Sequence, residues 1–192
     1  MNKELELEAK EMLYNNIKDK VPKLIDAEKC IDYKTCFFES IDVETVEDDE
    51  NRRVLLIWKN KWGKHLSIKN IKVNFFKLLR GVVELYIGSQ ILKETELCSV
   101  INALKMIIEA CMVDLSEQEL VVILAIYYEV DKGRKITDSN LCDTVNLYME
   151  DYMGVKLPDQ RIYKDVECLC EREIVGIEEG EFRISDRVNV VP

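Results

Sequence analysis

The feature that most constrains this chain is residues 120–130, which are apolar on nearly every side. A helix without a polar face needs cover all round, so it belongs at the centre of a domain. Ser116-Glu117-Gln118-Glu119 just before it has capping-box spacing. In such a box Ser116 takes the Glu119 amide while Glu119 reaches back to the Ser116 amide. Asp131-Lys132-Gly133 supplies the stop.

Two further helices and a hairpin follow. Thr137 is placed to cap the second helix, with Ile136 and Leu141 as a hydrophobic staple. Leu141, Val145, Tyr148 and Tyr152 make its core face, and Gly154 suits a left-handed ending. Pro158 and Asp159 open the third helix. Ile162, Val166 and Leu169 face inward there, leaving Gln160, Arg161, Lys164 and Glu171 outside. Residues 174–177 and 181–185 then pair around Glu179-Gly180.

This stretch resembles winged-helix domains, and is most similar to the C-terminal winged helix of archaeal origin-recognition initiators. The resemblance rests on Leu115-Ser116-Glu117-Gln118-Glu119, on Leu124-Ala125-Ile126, and on the spacing from Tyr148 to Leu157-Pro158. It continues through the third helix, Arg161 to Leu169, and ends at Ile174-Val175-Gly176. In that family the third helix enters the major groove and the wing touches the DNA backbone. The resemblance therefore implies Gln160, Arg161 and Lys164 as DNA-facing positions; Arg183 is a further candidate contact, a cation that partly offsets the acidic wing. The family's ATPase module has no counterpart here, since no Gly-rich loop ends in Gly-Lys-Ser/Thr. The expected wing tip reads Glu178-Glu179-Gly180-Glu181, three negative charges where phosphates would be met.

Charge is distributed unevenly behind the net value of −10. Residues 1–50 hold 7 basic and 15 acidic side chains, and residues 114–192 hold 9 and 18. Residues 51–80 hold 9 basic side chains and no acidic one. That island comprises Arg52, Arg53, Lys59, Lys61, Lys64, Lys69, Lys72, Lys77 and Arg80, with Trp58 and Trp62 between them. Cations interleaved with aromatics suit phosphate contact and base stacking, which makes double-stranded DNA a candidate partner. The alternative is that the tryptophans are core and the lysines pair with the acidic surface elsewhere in the chain.

The N-terminal half reads as an α+β module over residues 1–113. Leu5, Ala9, Met12, Leu13 and Ile17 have helical spacing, ended by Pro22. Residues 35–43 and 53–59 are β-rich and flank Glu47-Asp48-Asp49-Glu50-Asn51, so a hairpin with an acidic loop is expected. From Ser67, the residues Ile68, Ile71, Phe75, Leu78, Leu79 and Val82 follow a helical period, with Lys69, Lys72, Lys77 and Arg80 on an adjoining face. A third strand competes with that helix, because Leu66 and Ile68 alternate, and Gly81 is a point where a helix could break. Residues 96–113 predict a helix so apolar that it is buried in the core or across a homodimer seam.

Chemistry-bearing motifs are sparse. One histidine, His65, leaves little for His-based catalysis, and no nucleophile elbow, zinc-protease or dinucleotide motif is present, so no catalytic residue is assigned. Seven cysteines without an export signal point to reduced thiols in a cytoplasmic protein. Cys168 and Cys170 point to different helix faces. Cys30 and Cys36 come nearer a zinc spacing but lack a second pair, so buried inert thiols are expected, with no metal and no cofactor. No apolar run approaches the ~18 residues that span a bilayer, so no membrane partner is expected. Together these features predict an α+β protein: module 1–113, then a winged helix over 114–192. Its expected role is non-enzymatic and DNA-associated, as a transcription regulator or replication accessory. The alternative is an interaction adaptor whose acidic winged helix docks on a basic protein partner.

Overall fold

The computed structural model describes residues 3–20, 30–47, 56–59, 65–87, 94–111, 113–186 and 188–190. Helix α1 (Lys3–Asn15) is followed by α2 (Cys30–Ser40), which runs directly into strand β1 (Ile41–Glu47). Strands β2 (Leu56–Lys59) and β3 (His65–Val73) lead to α3 (Phe75–Ile87) and α4 (Glu94–Ala110). The C-terminal part is α5 (Glu117–Asp131), α6 (Leu141–Met153) and α7 (Asp159–Glu171), then β4 (Val175–Glu178), β5 (Glu181–Ile184) and β6 (Val188–Val190). The fold is α+β.

Strand β3 organises the larger sheet. β1 pairs along one edge of it, while β2 takes residues 65–68 and β6 takes residues 71–73 of the other, all antiparallel. The runs 35–43 and 53–59, expected to pair in a hairpin, do not do so: their described strand residues lie in β1 and β2, which flank β3 instead. Residues 35–40 are helical rather than extended. Tyr33, Cys36, Phe37 and Ser40 are buried at the i, i+3, i+4, i+7 spacing of one helix face, which outweighs the β-branched and aromatic composition.

The helix expected from Ser67 is corrected to a strand and a helix joined at Asn74. The register of β1 against β3 shifts between Glu44, opposite Asn70, and Thr45, opposite Ile68, leaving Lys69 as the extra residue of a bulge. The bulge puts Ile68 and Ile71 on the same buried face although they are three apart, so a strand acquires a helix-like period. The side chain of Asn74 then caps α3 by accepting from the Lys77 amide at 2.8 Å. Gly81 does not break α3. A Cβ there would collide with Cys36 Sγ and lie 3.2 Å from Cys36 Cβ, so the glycine lets α2 and α3 cross closely.

Around α5 the local signals hold. Ser116 Oγ accepts from the Glu119 amide at 3.2 Å and Glu119 Oε2 from the Ser116 amide at 2.7 Å, closing the capping box. Gly154 ends α6 at φ 66°. Glu179 and Gly180, at φ 52° and 79°, form the tight turn between β4 and β5. Thr137 is not the cap of α6. It opens a preceding turn in which Asn140 Oδ1 accepts the Thr137 amide at 2.8 Å, and the helix starts at Leu141. Met149 joins Leu141 and Val145 on the buried side of α6, while Tyr148 and Tyr152 are half-buried.

One apolar cluster draws on both halves of the chain. Phe76 of α3 meets Tyr127 of α5 edge-on at 5.5 Å, and the Tyr33 hydroxyl of α2 donates to Ala103 O of α4 at 2.9 Å. β6 brings residues 188–190 back beside β3, with Val188 buried. The apolar side of α4, including Ile101, Leu104, Ile107 and Ile108, is buried within the chain against α3, α5 and α6. Core packing thus accounts for that face without a second copy.

Candidate interaction surface

Among the described residues, the cations expected to meet nucleic acid are divided between strands and helices. Arg52, Arg53, Lys61 and Lys64 lie outside the described residues, as do Trp62 and the loop 48–51, and of Lys59 only its backbone in β2 is described. Lys69 and Lys72 sit on β3, whereas Lys77 and Arg80 sit on α3, so the single basic helix stripe does not exist. Lys69 Nζ is 3.2 Å from Glu44 Oε1, and Arg80 Nε donates to Glu84 Oε1 at 2.8 Å. Lys72 lies between Asp42 of β1 and Asn189 of β6 in the sheet register. Lys77 is exposed and makes no ion pair among the described residues.

On α7 the expected residues are outside but only partly available. Arg161 is held against α5: its Nε and Nη2 donate to Gln118 Oε1 at 3.2 and 3.1 Å, and Nε lies 3.4 Å from Asp165 Oδ1. Gln160 and Lys164 are exposed, and Lys164 makes no ion pair among the described residues. Asp159, Glu167 and Glu171 are exposed on the same helix. In the hairpin, Arg183 is shared between Glu178 at 3.6 Å and Glu181 at 3.3 Å. Glu181 is also bound by Lys135, whose hydrogen bond holds that carboxyl below the usual range. These exposed pairs add little stability, but they commit the cations that phosphate would need.

The outside of α6, together with the turn into α7, is the most distinctive exposed region. Leu147 is 62% exposed and occupies a stripe with Asp143 one turn before it and Glu150 and Asp151 one turn after. Tyr163 of α7 lies over the start of α6, its hydroxyl donating to Asp138 O at 3.2 Å. Met153 and Val155 are exposed at the other end of α6. Asp138, Asp143, Asp151 and Asp159 make no ion pair among the described residues, whereas Glu150 has Lys156 at 3.4 Å. The sequence reading passed over Leu147. The signal was available, because a residue two positions from Val145 lies on roughly the opposite side of a helix.

α5 and α7 carry three buried carboxylates. Glu129 Oε2 accepts from Arg134 Nη1 at 2.9 Å and Glu129 Oε1 from the Tyr148 hydroxyl at 3.3 Å. Burial first, and Glu129 second, push the Tyr148 hydroxyl up. Glu119 closes the capping box and has Arg172 Nη1 at 3.5 Å. Asp165 is less well served: its Oδ2 is buried without a hydrogen-bond partner, and burial pushes its carboxyl up despite Arg161.

The clefts offer no evident chemistry. One of about 300 Å³ is floored by Phe76, Tyr127 and Val130 under the hairpin, and burial pushes the Tyr127 hydroxyl up to about 12. Another, of about 480 Å³, runs between α2 and α3 past Cys36, Lys77 and Arg80. Burial pushes the Cys36 thiol up to about 11 and raises Cys111 as well, so both are poor nucleophiles at neutral pH. No three His, Cys, Asp or Glu side chains among the described residues are grouped to hold a metal ion. No helix among the described residues is long and apolar enough to cross a membrane. In comparisons with known proteins, no family model, no curated protein and no solved structure matches the chain.

Proposed function

We propose that residues 114–192 form a winged-helix module used for protein contact, in a non-enzymatic, cytoplasmic adaptor. The order of α5, α6, α7 and the β4–β5 hairpin supports the winged-helix reading. So does the bond from the Phe182 amide to Ile136 O at 2.8 Å, which ties the segment before α6 to β5. The observation that carries the choice of partner is the state of Arg161. The position that would reach DNA by resemblance is tied to Gln118 and Asp165, and Lys164 is left among Asp159, Glu167 and Glu171. Phosphate neutralisation supplies most non-specific DNA affinity, so a third helix with more carboxylates than cations opposes it. A basic protein surface meets the same charges favourably.

The DNA-associated reading keeps one supporting observation, the nine cations of residues 51–80 without a carboxylate among them. Titration of the full chain into labelled duplex DNA across a salt series separates the two. The adaptor reading expects no binding that depends on α7. Binding whose logarithm falls with log salt at about −0.9 per phosphate contact, and which Arg161→Glu and Lys164→Glu together abolish, overturns it. Binding lost instead on reversing Lys61, Lys64, Lys69 and Lys72 assigns DNA to the basic segment.

A further inference from the structure

We propose that the outer side of α6, centred on Leu147, is the docking site for a basic amphipathic helix of a partner protein. This rests on the adaptor reading and names the partner's chemistry. Four of the six large hydrophobic side chains left exposed among the described residues, Leu147, Met153, Val155 and Tyr163, fall within residues 147–163. They mark the middle of α6 and both its ends. A single exposed leucine needs no explanation, but exposed apolar groups drawn from α6, the turn after it and α7, and rimmed by charge, mark a contact surface.

The rim decides which partner fits. Asp143 and Asp151 stand one turn on either side of Leu147, and neither has an ion pair among the described residues to offset it. Asp138 and Asp159, near Tyr163, add two more carboxylates that make no ion pair among the described residues. A phosphate backbone or an anionic lipid surface would be repelled here, as would an acidic peptide. A helix that places an apolar residue over Leu147, with Lys or Arg about four positions to either side, satisfies both the leucine and its flanking aspartates. α6 is 13 residues long, about 20 Å, enough to run beside several turns of such a helix. Burying Leu147 supplies the attraction, and the aspartates set register and steer encounter.

The test uses the full chain and a fluorescent synthetic helix of roughly 18 residues with one leucine face flanked by lysines. Three controls accompany it: the same composition scrambled, a leucine–glutamate counterpart, and oligolysine of equal charge. The leucine–lysine helix is expected to bind most tightly. Leu147→Asp and the double reversal of Asp143→Lys with Asp151→Lys should each weaken it about tenfold or more. Leu7→Asp, at a leucine 53% exposed on α1, should change it by less than about twofold. Circular dichroism melts establish that each variant is folded. Equal affinity for oligolysine, no binding of the leucine–lysine helix, or no effect of Leu147→Asp overturns the proposal. If the helix binds but the loss maps to Leu7, the site is wrong while the adaptor reading stands. If duplex DNA binds through Arg161 and Lys164, the adaptor reading itself fails. A dimer in sedimentation equilibrium that Leu147→Asp dissociates would assign the surface to a second copy of the chain, which also overturns it.

Discussion

Helices α5 and α7 lie in the same part of the chain and do opposite work. Ten of the 15 residues of α5 are buried, against four of the 13 in α7. α5 opens on a closed capping box, whereas Pro158 at the start of α7 makes no side-chain cap bond. Even the charges differ. Glu119 and Glu129 of α5 are buried with bonded partners on every side that matters, while Asp165 of α7 leaves one oxygen unsatisfied. The contrast separates an element that holds the fold together from one that displays side chains, and stability and binding should respond to different residues.

The largest effect should come from the packed helix. Leu124 is fully buried, so Leu124→Ala should cost about 2–5 kcal/mol, read from the midpoint of urea unfolding. Tyr163→Ala on α7 should cost much less, about 0.5 kcal/mol, because its ring is partly in water. Similar losses at the two sites would break the contrast.

A second prediction concerns the helix crossing that connects to α5 through Phe76. Replacing a mid-helix glycine normally gains about 1 kcal/mol of helix propensity. At Gly81 the added methyl meets Cys36, so Gly81→Ala should instead cost about 1–3 kcal/mol. Adding Cys36→Ala should recover part of that loss, since the sulfur is the atom in the way. A plain gain in stability for Gly81→Ala would mean that α2 and α3 can separate freely.

Smaller still is the cap. Ser116→Ala removes the acceptor of the Glu119 amide and should cost about 1 kcal/mol. The same change at Ser139, just ahead of α6, should be close to neutral, because α6 begins without a side-chain cap.

These sites also mark where the chain was legible. The capping box, Gly154, Pro158 and the Glu179-Gly180 turn act through bonds between near neighbours, so they can be read from a few consecutive residues. The larger sheet cannot be read that way. β3 pairs with residues 41–47 on one side and with residues 188–190 on the other, more than a hundred positions away. Its bulge at Lys69 converts an alternating pattern into Ile68 and Ile71 three apart, which imitates a helix. Two local signals would have corrected the reading: Asn74 immediately before Phe75, and the 33, 36, 37, 40 spacing that makes α2 a helix. The surface site was less visible, because exposure of Leu147 and the pairing of Arg161 with Gln118 depend on which helices lie side by side.

Asp165 gives the finest test of the contrast between α5 and α7. It is 5% exposed, and burial raises its pKa, with Glu119 adding to the rise and Arg161 and Lys164 opposing it. A carboxyl with a raised folded pKa binds its proton more tightly in the folded state. Its contribution therefore favours folding below the ordinary carboxylate pKa and declines as pH rises through the folded value. At neutral pH the ionised group and its unsatisfied oxygen are a net cost. Asp165→Asn removes the charge and keeps an acceptor toward Arg161. It should stabilise the protein at pH 7 by about 0.5–1.5 kcal/mol. That gain should shrink as the pH falls through the raised folded value towards the ordinary carboxylate pKa of about 3.9, where the wild-type carboxyl is protonated too. A loss of stability at pH 7 would mean that the Arg161 ion pair outweighs the burial of Asp165. Asp165 would then belong with Glu119 and Glu129 of α5, whose buried carboxylates are matched by Arg172 and Arg134.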